Sequence, residues 1–67
     1  MSIVKVIEVL AESRESWEDA TRQALAEASK SLHNIRSVYV EHMQATVKDN
    51  KIEWYRVNAK ISFELDR

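Results

Sequence analysis

From Ile52 to Leu65 the chain alternates without a break: Tyr55, Val57, Ala59, Ile61, Phe63 and Leu65 fall on one side, and Trp54, Arg56, Asn58, Lys60, Ser62 and Glu64 on the other. A period of two is that of a β-strand with one apolar and one polar face. Its length is the stronger constraint. At about 3.3 Å per residue the extended run reaches roughly 46 Å. A compact chain of 67 residues has a radius of gyration of about 11 Å and is about 28 Å across. The strand therefore either bends hard or projects beyond its own subunit, and partners are expected.

Size points the same way. With 45% hydrophobic and 31% charged residues the chain is composed as a folded protein, and 67 residues allow a single domain over 1–67. A domain of this length buries only about 60% of its unfolded surface. There is no cysteine to cross-link so small a core, so association between copies is the remaining source of stability. A net charge of −1 and a pI near 6.1 argue for neither nucleic acid nor an anionic membrane surface as partner. No apolar run approaches the roughly 20 residues of a membrane span, and no basic, apolar, small-residue leader is read. A soluble, cytoplasmic protein is expected. Glycine and proline are absent, so every turn must be made by other residues.

From Ile3 to Leu10 one face reads Ile3, Lys5, Ile7 and Val9 and the other Val4, Val6, Glu8 and Leu10. A strand apolar on both sides requires cover on both sides. One cover is a helix of the same chain; the second falls to another subunit. Ser16 is the expected N-cap of that helix, with Ser13 as competitor, and Glu18 and Asp19 suit the positive end of its dipole. Trp17, Ala20, Ala24, Leu25, Ala28, Leu32 and Ile35 then recur at helical spacing, predicting a helix that ends near Leu32 or His33. Asp19, Arg22, Gln23, Ser29 and Lys30 make its solvated side. Asn34 tolerates a left-handed exit.

A second extended run follows from Arg36 to Val47, and Lys48-Asp49-Asn50-Lys51 breaks it, with Asp49 and Asn50 suited to a two-residue hairpin turn. The register set by that turn places Val38 opposite Ile61 and Val40 opposite Ala59. Ser37, Tyr39, Glu41, Met43, Trp54, Arg56, Asn58 and Lys60 then share the polar face. The expected architecture is α+β, a β-α-β-β chain whose three-stranded antiparallel sheet curls around one helix.

Enzymatic signals are weak. The sequence holds no cysteine nucleophile, glycine-rich phosphate loop, zinc-binding His-Glu-x-x-His or Gly-x-Ser-x-Gly elbow, and a non-enzyme is expected. His33 reads as a helix-end residue favoured by the dipole, and His42 as a structural histidine near the apolar side of its strand. Asp49, Asn50 and Glu53 bring oxygen ligands to one turn without the spacing of a calcium loop, so a charged hairpin tip is the simpler reading. Glu12 and Glu15 read as loop solubility. Tyr39, Trp54, Arg56, Asn58 and Lys60 lie on a surface that a single helix cannot cover. Two readings of that face stand: a site where an aromatic or anionic small molecule stacks and pairs, or an intersubunit surface where Arg56 or Lys60 meets Glu41 or Glu64.

The segments Val4-x-Val6-Ile7-Glu8-Val9, Ser13-x-x-Ser16-Trp17-Glu18-x-Ala20, Ala28-Ser29-Lys30-x-Leu32-x-Asn34-Ile35-Arg36 and Lys60-Ile61-x-Phe63-x-Leu65 together resemble dodecins over nearly the whole chain. The resemblance implies a hollow homododecamer of β-α-β-β subunits that binds flavins, riboflavin or FMN, in pairs between subunits, as a store rather than a catalyst. It also implies where this chain departs. The stacking tryptophan of flavin-binding members corresponds to Ser37, their ring-pairing glutamine to Arg56, and their Arg-Gly pair to Gln44-Ala45. Tyr39 and Trp54 are the aromatic side chains left to take over stacking. The pair Tyr55-Arg56 and the missing tryptophan resemble the branch of the family that includes calcium-binding dodecins. The ligand-facing set expected on these grounds is Ser37, Tyr39, Gln44, Trp54, Arg56 and Asn58, with flavin or calcium as ligand and no metal ligands assigned.

Overall fold

In the computed structural model, which describes residues 2–65, the long alternating run is the central strand of a three-stranded antiparallel sheet. The elements are β1 (Val4–Ser13), α1 (Trp17–Ala28), β2 (Ile35–Lys48) and β3 (Lys51–Glu64), in the sheet order β1-β3-β2. The sheet curls against one helix, the architecture expected from the sequence. The molecule measures 51 × 20 × 13 Å with a radius of gyration of 13.8 Å, well above the roughly 11 Å of a compact chain of this length. The hairpin thus runs out past the body of its own subunit.

Alternation in β3 sorts its side chains as expected. Val57, Ala59 and Ile61 are fully buried beneath α1, together with Ala20 of the helix, and Ala24 is nearly so. Alanine on the contacting stripe lets the helix lie close to the sheet, and α1 packs on β1 and β3 while barely reaching β2. Val38 pairs with Ile61 and Val40 with Ala59, as the turn register predicts. The turn residues Asp49 and Asn50 have φ of 53° and 63°, both in the left-handed region that a two-residue hairpin requires.

Ser16 caps the helix: its hydroxyl accepts from the Asp19 amide at 2.9 Å. Ser13, the competing candidate, is buried and has another task. Its Oγ donates to Asp19 Oδ2 at 2.6 Å and accepts from the Glu15 amide at 2.9 Å, folding the β1–α1 corner. The Ser13 bond, with a second from Gln23, holds the Asp19 carboxyl below its ordinary range.

Several expectations are corrected. The first strand continues three residues past Leu10 to Ser13, because Ala11, Glu12 and Ser13 pair with Val57, Arg56 and Tyr55 of the long central strand. The helix ends at Ala28 rather than near Leu32 or His33. Ser29 turns its hydroxyl back onto the Ala26 carbonyl, and the chain unwinds through short turns at Lys30 and Ser31, consistent with serine competing for backbone groups. Asn34 is left-handed, at φ 59°, but it opens β2 rather than capping the helix, and Ile35 belongs to that strand. His33 is exposed and lies beyond the helix, outside the reach of its dipole. Finally, a bulge between Val40 and His42 shifts the faces of β2. His42 sits opposite Asn58 on the polar face, and Met43 opposite Val57 on the helix side, the reverse of simple alternation.

Candidate ligand-binding face

The face of the sheet turned away from α1 is built from all three strands. β3 supplies Trp54, Arg56, Asn58, Lys60 and Ser62; β1 supplies Val4, Val6, Glu8, Leu10 and Glu12 opposite them. β2 supplies Ser37 and Tyr39 before its bulge and His42 and Gln44 after it. The extra residue at Glu41 is what turns Gln44 to this side, into register with Arg56. A bulge inserts one residue and so inverts the parity of every position that follows.

All the cations named on this face have carboxylate partners within the chain. Arg56 Nε lies 3.0 Å from Glu12 Oε2, Lys60 Nζ 3.3 Å from Glu41 Oε2, and Arg36 Nη1 2.9 Å from Glu64 Oε1. Long strands in register thus bring these cations to carboxylates of their own chain, and of the pairs considered between subunits Lys60 with Glu41 already forms within one. The Arg56 Nε is shielded from solvent and has no aligned hydrogen-bond acceptor, so Glu12 approaches it off the N–H axis. A shielded donor held this way is under-satisfied, and Arg56 is the polar group of this face with most to gain from a ligand acceptor.

The six side chains expected to face a ligand, Ser37, Tyr39, Gln44, Trp54, Arg56 and Asn58, all lie on this face, but in two places. Ser37 and Tyr39 pair with Ser62 and Lys60, while Gln44, Trp54 and Arg56 cluster toward the hairpin tip. Ser62 and Arg56 are six residues apart on β3, roughly 20 Å at 3.3 Å per residue. A single protomer does not close both groups around one small molecule. The Ser37 hydroxyl is hydrogen-bonded to that of Ser62. Tyr39 is 63% exposed.

Trp54 is occupied: the guanidinium carbon of Arg14 stands 4.2 Å from its ring centroid, a cation–π contact. Its amide donates to Thr46 Oγ1 at 3.1 Å. Sequence reasoning missed Glu12 because it took a strand residue for loop, and Arg14 because the bend that follows β1 reaches Trp54 only once the sheet has formed. The usable signal was the length of β3, which needs a partner strand reaching as far as Ser13.

Behind the face, the Trp17 indole N–H donates to the Gln44 carbonyl at 2.8 Å. Among the described residues no three His, Cys, Asp or Glu side chains gather to hold a metal ion, and no helix is long and apolar enough to cross a membrane. The hairpin tip at Asp49, Asn50 and Glu53 is no exception to the first statement.

A sheet with its own helix on one face, and an apolar strip beside paired charges on the other, defines a class of small β-α-β-β subunits. The chain belongs to the dodecin family, whose model matches residues 3–66. It is 32% identical over 65 residues to the calcium dodecin of Mycobacterium tuberculosis, covering 97% of this chain and 92% of that protein. The crystal structure of that calcium-chelating antigen superposes with a TM-score of 0.84 at 33% identity, over 97% of this chain and 93% of the other. The dodecin of Streptomyces davaonensis gives a TM-score of 0.93 at 27% identity, over 98% of this chain and 97% of that one. A variant of the Thermus thermophilus dodecin with one arginine replaced by alanine gives 0.95 at 27% identity, with both chains fully covered.

Proposed function

We propose that the chain, one domain over its 67 residues, is the protomer of a cytoplasmic, non-catalytic homododecameric shell that binds a small ligand at junctions between subunits. One observation carries this reading. Val4, Val6 and Leu10 are 49%, 54% and 49% exposed on the face that the chain's own helix does not cover. Burying such side chains fully is worth about 1.5–3 kcal/mol each, and a neighbouring copy is the cover that the dodecin family implies. The ligand then lies where Tyr39, Gln44, Arg56 and Asn58 of adjacent copies approach one another.

The residues do not fit the paired tryptophan sandwich of flavin-binding dodecins. Ser37 stands at the stacking position with its hydroxyl bonded to Ser62, and Arg14 already covers a face of Trp54. Losing a stacking ring forfeits about 1–3 kcal/mol per ring. Riboflavin or FMN is therefore held weakly, through Tyr39 and the hydrogen-bonding groups of Arg56, Gln44 and Asn58. A second reading, a shell that takes calcium, is favoured by the 32% identity to a calcium dodecin. In that case the ion requires ligands from more than one subunit.

The test is a titration of protein into riboflavin and FMN, following flavin fluorescence, with the particle mass read by light scattering. A twelve-subunit particle with weak quenching supports the first reading. No quenching, with a melting temperature raised by calcium, supports the second. A monomer in solution refutes both.

A further inference from the structure

Between β1 and the C-terminal half of α1 runs an open groove of about 600 Å³, walled by Ile7, Val9, Leu10 and Leu32, with Glu12 and Glu27 also lining it. β1 is an edge strand, so one side of the groove carries backbone groups without a sheet partner. At the other end of the molecule the hairpin tip shows two features that its own subunit leaves unanswered. Val47 and Ile52 pair across the strands, yet are 68% and 50% exposed. Lys48 and Lys51 face each other directly in the next register position, and like charges so placed are destabilising unless a partner neutralises them.

We propose that the hairpin tip of one protomer seats in the β1–α1 groove of the next. This rests on the shell reading above and deepens it. Val47 and Ile52 enter against Ile7, Val9 and Leu32, while Lys48 and Lys51 approach Glu12 and Glu27. Both carboxylates already have partners, Arg56 for Glu12 and Lys30 for Glu27. The Glu27 pair is largely exposed, and exposed pairs are weak enough to be rearranged at little cost. The contact joins two different surfaces, so it is head-to-tail, and within a closed shell such contacts run around a ring of copies. It also gives the overlong hairpin a purpose: the tip lies beyond the helix because its cover belongs to a neighbour.

A double variant, Leu32→Cys with Val47→Cys, tests this in a chain that has no cysteine of its own. Val47 is in register with Ile52, and Ile35, close to Leu32, with Phe63. These register positions are roughly 36 Å apart along β3 at 3.3 Å per residue, so a disulfide within one chain is out of reach. Oxidation is expected to convert most of the protein to covalent multimers larger than a dimer, reversed by reductant. The variant Val47→Asp with Ile52→Asp is expected to keep its circular dichroism and lose particle mass. Monomer bands from a particle of wild-type mass would overturn the proposal while leaving the shell intact. An Asp variant of unchanged mass does the same. A wild-type chain that is itself a monomer removes the shell reading first and this contact with it.

Discussion

The indole N–H of Trp17 donates to the carbonyl oxygen of Gln44 at 2.8 Å, while the same ring meets Tyr55 edge-on, with centroids 4.9 Å apart and planes at 81°. One side chain thus ties the start of α1 to both strands of the long hairpin. The backbone it grips is that of Gln44, whose side chain lies on the candidate binding face. The helix therefore holds that part of the face in position from behind.

Trp17→Phe keeps a ring against Tyr55 and removes only the N–H. A stability loss of about 1 kcal/mol is expected, the usual net worth of one hydrogen bond. The urea midpoint at fixed protein concentration measures it. Trp17→Ala loses the ring contact as well and is expected to cost more.

Asp19 is expected to give the fold an acid-sensitive corner. Its carboxyl is held below the ordinary carboxylate value, first by the Ser13 hydroxyl and then by Gln23, with Arg22 adding a smaller pull in the same direction. A depressed folded value means that the stabilisation is fully present above the unfolded carboxylate range, about pH 4. It is lost as pH falls through the lower folded value. Asp19→Asn is expected to flatten that part of the stability–pH curve, and Ser13→Ala to shrink it, as read by thermal melts between pH 2 and 6.

Ser37→Trp is expected to restore a stacking platform at the position the dodecin family uses. Flavin affinity should rise by about one to two orders of magnitude, the equivalent of 1–3 kcal/mol per stacked ring. Fluorescence quenching by the variant and the parent protein under identical conditions measures the gain. Unchanged quenching would show that the pocket geometry of flavin-binding members does not survive here.

Val6→Asp places a charge on the apolar strip of β1, at a position 54% exposed in the single subunit. A monomer tolerates a charge there. A subunit buried against a neighbour does not, because an unpaired buried charge is strongly destabilising. Loss of the large particle in size-exclusion chromatography is the expected outcome.

Much of this was legible in the residues themselves. Alternation gave β3 and both of its faces. The Asp49-Asn50 turn predicts the pairing of Val38 with Ile61 and of Val40 with Ala59, but that pairing holds because two bulges cancel: the extra residue at Glu53 shifts Thr46 to His42 by one position, and the extra residue at Glu41 restores the register. Serine at 16, acids at 18 and 19, and the alanine stripe located the start of the helix and its buried side. The helix end was misread for a local reason, Ser29 bonding back to Ala26, and the other misreadings trace to interactions remote in sequence. The bulge at Glu41 is invisible to a periodic pattern, and it decides on which face His42, Met43 and Gln44 lie. Residues Ala11 to Ser13 look like loop until they pair with Val57 to Tyr55. Arg56 meets Glu12 through the register of β1, which no local signal supplies.

Element order, the hairpin turn, the split of β3 into an apolar and a polar face and the need for a partner were settled by local chemistry: side-chain period, turn residues and chain length. Which charges meet, which aromatic ring is covered and which side chains share the candidate site were decided only in three dimensions. Those outcomes depend on contacts such as Arg14 with Trp54, Glu12 with Arg56 and Trp17 with Gln44. Residues 27 to 44 positions apart in the chain meet in them only after the sheet has formed.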